Sequence, residues 1–174
     1  MTTIVTVTGN PKPKSRTHGV ATAVADTIAA AAEPAAGAAA GAAIRLDIDL
    51  AEHAPRLFDW NDKELTRLTA EVATSSVAVF ASPTYKASYT GMLKAFLDRY
   101  GSNGLAGVVA VPVMTGGWPG HLLSVEVHLR PVLVELGAIV PARGLYVTEP
   151  EFDDLDAAVG KWAETALPLI TRSL

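Results

Sequence analysis

Cysteine is missing from all 174 residues of this sequence. Its absence excludes disulfides, CxxC redox motifs, thiolate zinc sites and iron–sulfur clusters. Charge is also scarce: charged residues make up 18% of the chain, the formal net charge is −4, and the sequence pI is about 5.5. This weakly acidic balance argues against nucleic-acid binding, which requires a basic surface that neutralises phosphates.

Long apolar runs are missing as well. The runs at 77–81 and 108–113 have the length of β-strands, far short of the ~18 residues that cross a membrane. The N-terminal sequence MTTIVTVTGN lacks the basic region of a signal peptide and is typical of a first strand. Because 49% of the residues are hydrophobic, the chain has enough apolar surface to fold. We therefore expect one cytoplasmic domain spanning residues 1–174, with no membrane or nucleic-acid partner.

Strand and helix patterns alternate along the chain. Runs rich in β-branched residues predict five strands, at Thr3–Thr8, Ile44–Ile48, Ser76–Ala81, Val108–Met114 and Ala138–Tyr146. Helices are predicted between them, at about 17–32, 61–74, 91–99, 121–136 and 155–173. The Ala- and Gly-rich segment 29–43 is expected to end the first helix in a surface turn. This alternation indicates an α/β, flavodoxin-like fold: a doubly wound five-stranded parallel sheet in the order 2-1-3-4-5, with helices on both faces.

The first strand runs into a polar loop, 9–17 (GNPKPKSRT), which opens into a helix. Backbone N–H groups and the helix dipole at such a terminus favour an anion. Ser15, Arg16 and Thr17 add hydroxyl and guanidinium donors, which suit a terminal phosphate. The loop lacks the second glycine of a Walker A motif, and no GxGxxG pattern follows the strand. The alternative is a solvated basic turn in which Thr17 serves only as an N-cap.

Two further loops follow the third and fourth strands, at the edge of a doubly wound sheet where ligands bind. The loop 82–91 (SPTYKASYTG) offers flat surfaces and backbone edges to an aromatic ring. The alternative is that Tyr85 and Tyr89 pack against the next helix. The loop 115–121 (TGGWPGH) has paired glycines, whose N–H groups either face electron-rich atoms of a ligand or merely start a helix.

The four histidines do not indicate a metal site. His121 and His128 are seven residues apart without a carboxylate or a third ligand at the usual spacing, and His18 and His53 lie elsewhere. A GxSxG nucleophile motif is also missing from the sequence. Hydrolase chemistry therefore has little support.

Three motifs together resemble the NAD(P)H-dependent FMN reductases, most closely the subgroup that serves alkanesulfonate monooxygenases. They are GNP at 9–11 with SRT at 15–17, PTYKASYTGMLK at 83–94, and TGG at 115–117. The resemblance extends from the first strand through the helix at 121–136, and PTYKASYTG is its most specific part. Two residues depart from the family pattern. Asn10 replaces the usual serine, and Lys12 replaces a common arginine. Lysine keeps the positive charge but cannot bind a phosphate in the bidentate geometry of arginine.

The resemblance implies roles for particular residues. Ser15, Arg16 and Thr17 would hold the FMN phosphate. Residues 83–86 would line the isoalloxazine ring, and residues 115–117 would meet its far edge. The full set of cofactor-binding residues expected from the resemblance is Gly9, Asn10, Ser15, Arg16, Thr17, Pro83, Thr84, Tyr85, Lys86, Thr115, Gly116 and Gly117.

The implied function is that of a flavoprotein oxidoreductase, which transfers a hydride from NADPH or NADH to N5 of FMN and supplies reduced flavin to a partner monooxygenase. Because the cofactors provide the chemistry, no catalytic side chain is expected. One alternative keeps FMN bound and reduces quinones, azo dyes or metal oxyanions. Another is a flavodoxin-type electron carrier, or a regulatory flavin module, without NAD(P)H oxidation. The motifs leave open whether NADPH or NADH is preferred, and whether FMN is a substrate or a prosthetic group.

Members of the family form dimers or tetramers, so a homo-oligomer is expected, with a homotetramer as the form suggested by the subgroup. Leu122, Leu129 and Leu136 recur every seven residues and would form a stripe suited to a core or an interface. In the sulfonate-linked subgroup, an inserted aromatic residue in this helix makes a π-bulge at the tetramer interface. Val127 or His128 takes the matching position here, and the sequence leaves open whether the bulge is present.

Overall fold

A computed structural model describes residues 1–35 and 42–174 of the chain. Five strands form its sheet: β1 (Thr3–Thr8), β2 (Ile44–Asp49), β3 (Val77–Pro83), β4 (Val109–Gly116) and β5 (Leu145–Thr148). Every neighbouring pair is parallel, and the order is β2-β1-β3-β4-β5. The flavodoxin-like topology predicted from the alternation of strands and helices is confirmed.

Helices cover both faces of the sheet. They are α1 (Arg16–Ala35), α2 (Lys63–Ala73), α3 (Gly91–Leu97), α4 (Arg130–Glu135) and α5 (Leu155–Arg172). Short 3-10 segments lie at Leu50–Arg56, Pro119–His121 and Glu149–Asp154, and a π-helical segment lies at Val125–Leu129. One core joins α1 and α5 to the sheet, and a second joins α2, α3 and α4 to the opposite face. Because both faces are covered, β3 is buried along its whole length, which explains its continuous apolar run.

The first four predicted strands and the helices α1, α2, α3 and α5 agree with the structure to within three residues at each end. Helix α1 continues to Ala35, beyond its predicted end near residue 32. The rest of the predicted surface turn in 29–43 falls partly on residues 36–41, which lie outside the described residues.

The predicted fifth strand, Ala138–Tyr146, is wrong in its position. The structure has β5 at Leu145–Thr148, and Ile139 makes only an isolated bridge to Val109. The side chain of Arg130 explains the difference, because it donates to the carbonyls of Val140 and Ala142 at 2.7 and 2.8 Å. Those carbonyls are therefore satisfied without a strand neighbour. Pro141 between them has no N–H for a strand ladder.

The single helix predicted at 121–136 is divided into a 3-10 turn, the π-helical segment and α4. The N–H of Arg130 reaches back five residues to the carbonyl of Val125. Pro131 favours this geometry, since it has no N–H to donate to the α-helical acceptor four residues earlier. Leu122 and Leu129, two residues of the predicted leucine stripe, lie in different surroundings: Leu122 is 43% exposed, whereas Leu129 is completely buried.

Within the described part of the chain, no helix is long and apolar enough to cross a membrane. The same residues contain no group of three His, Asp or Glu side chains arranged to hold a metal ion.

Candidate functional site

The carboxyl ends of β1, β3 and β4 surround a cavity of about 320 Å³. The parallel topology creates this site, because the loops that follow neighbouring parallel strands emerge at one edge of the sheet. The 3-10 segment that follows β5 closes the cavity on a further side. Its lining consists of Asn10, Lys12, Ser15, Arg16, Thr17, Pro83, Thr84, Tyr85, Thr115, Gly116, Gly117, Glu149 and Phe152.

Ten of the twelve residues expected at the site line this cavity, and Gly9 and Lys86 lie outside it. Gly9 instead packs against α3, where an added Cβ would lie 2.5 Å from Cβ of Leu93. Its carbonyl accepts a hydrogen bond of 2.6 Å from the hydroxyl of Thr90, the N-cap residue of α3. Gly9 therefore joins the first loop to the second by close packing.

Three buried polar side chains connect the first loop to β4. The Nδ2 of Asn10 donates to Oγ1 of Thr17 at 3.1 Å, and the hydroxyls of Thr17 and Thr115 lie 2.8 Å apart. The Oδ1 of Asn10 also accepts from the N–H of Lys12 at 2.9 Å. Thr17 is only 2% exposed, and its hydroxyl is hydrogen-bonded to both Asn10 and Thr115. This hydroxyl therefore stabilises the loop.

Three residues at the N-terminus of α1 line the cavity: Arg16 and Thr17, and Ser15 immediately before the first residue of the helix. The Oγ of Ser15 accepts from the N–H of His18 at 3.2 Å, so Ser15 makes the capping contact that one reading of the sequence assigned to Thr17. A hydroxyl that accepts in this way still has its own hydrogen to donate. The first N–H groups of a helix lack intrahelical partners, which makes this end suited to an anion.

Arg16 lies on the exposed side of the cavity, beside two residues that follow β5. Its Nη2 donates to Oε1 of Glu149 at 3.1 Å, with the two side chains 65% and 61% exposed. Its Cζ lies 4.6 Å from the centre of the Phe152 ring. The charged residue expected from the sequence to meet a phosphate is thus already paired with a carboxylate.

The second loop contains a tight hairpin turn. Tyr85 and Ser88 exchange two backbone hydrogen bonds, of 2.9 and 3.1 Å. The two residues between them, Lys86 and Ala87, have φ of 52° and 65°, a conformation that such turns usually give to glycine or asparagine. The turn leaves the side chain of Tyr85 52% exposed at the cavity, while Tyr89 packs against the core. The packing alternative is therefore correct for Tyr89 and not for Tyr85.

Gly116 sits where β4 leaves the sheet, between Thr84 and Tyr146. An added Cβ would lie 2.1 Å from the hydroxyl oxygen of Tyr146 and 3.3 Å from Cβ of Thr84. The N–H of Thr84 donates to the carbonyl of Thr115 at 2.7 Å, so the second and third loops meet here. The buried hydroxyls of Thr84 and Tyr146 have no hydrogen-bond partner among the described residues. A buried hydroxyl without a partner beside a cavity is a feature that a polar ligand satisfies.

The sequence patterns do not identify Glu149 and Phe152 as site residues, and they identify Lys12 only as a departure from the family pattern. The missing signal was the position of β5. With the fifth strand ending at Thr148, residues 149–152 follow the carboxyl end of a strand, where ligand-binding loops are expected.

Known proteins resemble this chain in sequence, and a solved structure resembles it in fold. FMN reductase (NADPH) of Escherichia coli K12 is 36% identical over 90 residues, which cover 52% of this chain and 47% of the relative. This chain thus spans about half the length of that relative. NADH-dependent FMN reductase SfnF of Pseudomonas putida is 29% identical over 150 residues, covering 86% of this chain and 79% of the relative.

The structure is similar to the apo form of the NADH:FMN oxidoreductase EMOB, with a TM-score of 0.84 and 27% identity over 100% of this chain and 90% of that one. The sequence profile of the family described as NADPH-dependent FMN reductase matches residues 2–152. Because this match covers β1 to β5 and every residue that lines the cavity, the chain belongs to the NADPH-dependent FMN reductase family.

Proposed function

We propose that this protein is an NAD(P)H-dependent FMN reductase that transfers a hydride from NADPH or NADH to FMN. The observation that carries the proposal is one cavity that combines the N-terminus of α1 with the hydroxyl of Thr84 and the glycine pair at 116–117. A terminal phosphate and a flat ring with polar edges require these two kinds of surface. When bound, FMN supplies the hydride-accepting chemistry, and the chain has to bind and orient the reactants.

The phosphate would be held by Ser15, Arg16 and the backbone at the start of α1. The Ser15 hydroxyl has a hydrogen to donate, and the Arg16 guanidinium has further N–H donors beyond the one on Glu149. Thr17 would contribute through its backbone N–H, since its hydroxyl is bonded to Asn10 and Thr115. Lys12 also lines the cavity and adds a second positive charge.

The ring would lie between the second and third loops. Pro83, Thr84 and Tyr85 line one side of the cavity, and Gly116 and Gly117 line another. The partnerless hydroxyl of Thr84 supports this placement, because a ring edge would satisfy it. Backbone N–H groups near the two glycines would stabilise negative charge on the ring.

The test measures NADPH or NADH oxidation at 340 nm with purified protein and varied free FMN, under air. The proposal expects turnover that saturates with added FMN. Turnover that needs no added FMN but depends on menadione would instead support a reductase with permanently bound flavin. Quenched flavin fluorescence without any NADPH or NADH oxidation would overturn the enzymatic proposal in favour of an electron carrier or a regulatory flavin module.

We further propose that the protein is a homo-oligomer, a dimer or the expected homotetramer. Leu123, Val127 and Val134 support this, since they are exposed on the π-helical segment and its neighbours by 60%, 56% and 53%. Exposed apolar side chains of this kind are suited to contact with a second copy of the chain. Light scattering of the intact protein tests the proposal, and a Val127→Lys variant should shift the mass toward the monomer. A monomeric parent protein would contradict it.

We also propose that the protein delivers reduced flavin to a partner monooxygenase. We further propose a cytoplasmic location, because NADPH and NADH are available there. The first rests on the resemblance of the three loop motifs to the sulfonate-linked subgroup. Reduced FMN released into solution by the working enzyme, trapped by a separately purified monooxygenase, would test it. No detectable release would contradict it.

A further inference from the structure

We propose that Glu149 lowers the affinity of the site for the flavin phosphate, because it competes with the phosphate for Arg16. The lower affinity would allow flavin to leave after reduction. This inference rests on the proposed function. It concerns a residue that lines the cavity together with Arg16 and Phe152 but lies outside the three loops that the family motifs cover.

The backbone of Glu149 belongs to an ordered 3-10 turn. The N–H and hydroxyl of Thr148 both donate to the carboxylate of Glu151, at 2.7 and 2.6 Å, which caps the 3-10 turn on its N-terminal side. Pro150 stiffens the first residues of the same turn. The turn therefore sets the position of the Glu149 backbone beside the cavity, and the side chain reaches the cavity from there.

The carboxylate of Glu149 reaches two of the loops that form the site. Its Oε1 accepts from Arg16 at 3.1 Å, and its Oε2 lies 3.6 Å from where a Cβ on Gly117 would be. Negative charge therefore lies between the loop proposed to hold phosphate and the loop proposed to meet the ring. A phosphate that approaches Arg16 enters the field of this carboxylate and shares its guanidinium donors.

The pair is weak enough for a ligand to disturb. Both side chains are mostly exposed, and exposed ion pairs contribute little because water and salt screen them. The stacking of Phe152 on Arg16 keeps the guanidinium near the cavity when its partner changes. The geometry thus supports a phosphate site whose positive charge is partly neutralised, rather than one that retains its ligand firmly.

The test compares the dissociation constants of FMN and riboflavin for the intact protein and for Glu149→Gln, by quenching of flavin fluorescence. Glutamine keeps the size of the side chain and an oxygen acceptor for Arg16, and removes the charge. We expect the variant to bind FMN about two- to fivefold more tightly. Riboflavin, which has no phosphate, should bind both proteins equally.

Asp153→Asn is the matched control. It removes the same charge from an exposed residue of the same turn that does not line the cavity. The FMN affinity of this variant should equal that of the parent protein.

The opposite role, in which Glu149 positions Arg16 to receive phosphate, gives the opposite result. FMN affinity in Glu149→Gln that is unchanged or lower would overturn the inference, while FMN binding by the parent protein would leave the proposed function intact. An equal gain for riboflavin would also overturn it, because the effect would not involve the phosphate. Absence of saturable FMN binding by the parent protein would overturn both proposals.

Discussion

The buried hydroxyls of Thr17 on α1 and Thr115 on β4 lie 2.8 Å apart, although 98 residues separate them in the chain. Thr17 also accepts from the side chain of Asn10, so one hydroxyl links two loops of the site. The cavity therefore depends on a polar network that does not have to touch a ligand. Asn10, which departs from the family pattern, is part of this network.

Replacing Thr17 with valine should destabilise the protein, because it keeps the shape of the side chain and leaves buried polar groups of Asn10 and Thr115 without a partner. We expect the free energy of unfolding to fall by about 1–3 kcal/mol in urea denaturation. Thr66→Val, at an exposed position of α2, is the matched control and should change it by less than about 0.5 kcal/mol. Equal effects of the two substitutions would show that the network contributes no stability.

Arg16→Ala should weaken FMN binding without unfolding the protein, because the side chain is 65% exposed and proposed to meet the phosphate. We expect the dissociation constant to rise about three- to tenfold in a fluorescence titration, with riboflavin unaffected. Arg16→Lys should restore only part of the affinity, because an ammonium group lacks the planar fork of the guanidinium. An unchanged FMN affinity in Arg16→Ala would remove Arg16 from the proposed site.

Gly116→Ala should distort the end of β4, because the new methyl group would lie 2.1 Å from the Tyr146 hydroxyl. We expect a loss of about 1–3 kcal/mol in the free energy of unfolding. Tyr146→Phe alone should be close to neutral, since the hydroxyl it removes has no partner among the described residues. The double variant should recover part of the loss. If it is as unstable as Gly116→Ala, the clash with this hydroxyl is not the cause.

Tyr85→Ala and Tyr89→Ala should have opposite consequences. Tyr85 is exposed at the cavity, so its loss should lower the rate of flavin turnover and leave the melting temperature nearly unchanged. Tyr89 packs against the core, so its loss should lower the free energy of unfolding by about 1–3 kcal/mol. Parallel assays of NADPH oxidation and thermal unfolding measure both. A larger drop in melting temperature for Tyr85→Ala would make it a packing residue.

The sequence patterns were sufficient for the order of the sheet and for the three loops at its edge, and the resemblance to the FMN reductases added most of the individual residues that line the cavity. Strand patterns depend on local composition, and the loops of neighbouring parallel strands must emerge at one edge. Thr84 and Gly116 could therefore be assigned to one site although they lie 32 residues apart along the chain. The strand predicted from the pattern at Ala138–Tyr146 was wrong in position, because the side chain of Arg130 donates hydrogen bonds to two backbone carbonyls of this segment.

Only the tertiary structure decided which groups each side chain meets. It showed that the Thr17 hydroxyl is committed to Asn10 and Thr115, that Arg16 is paired with Glu149, and that the helix before Pro131 takes a π-helical turn. These features arise from contacts between residues far apart in the chain or from a competition among backbone partners. Local patterns determine which elements form and where their loops lead, whereas long-range packing determines which hydrogen bonds and charges remain for a ligand.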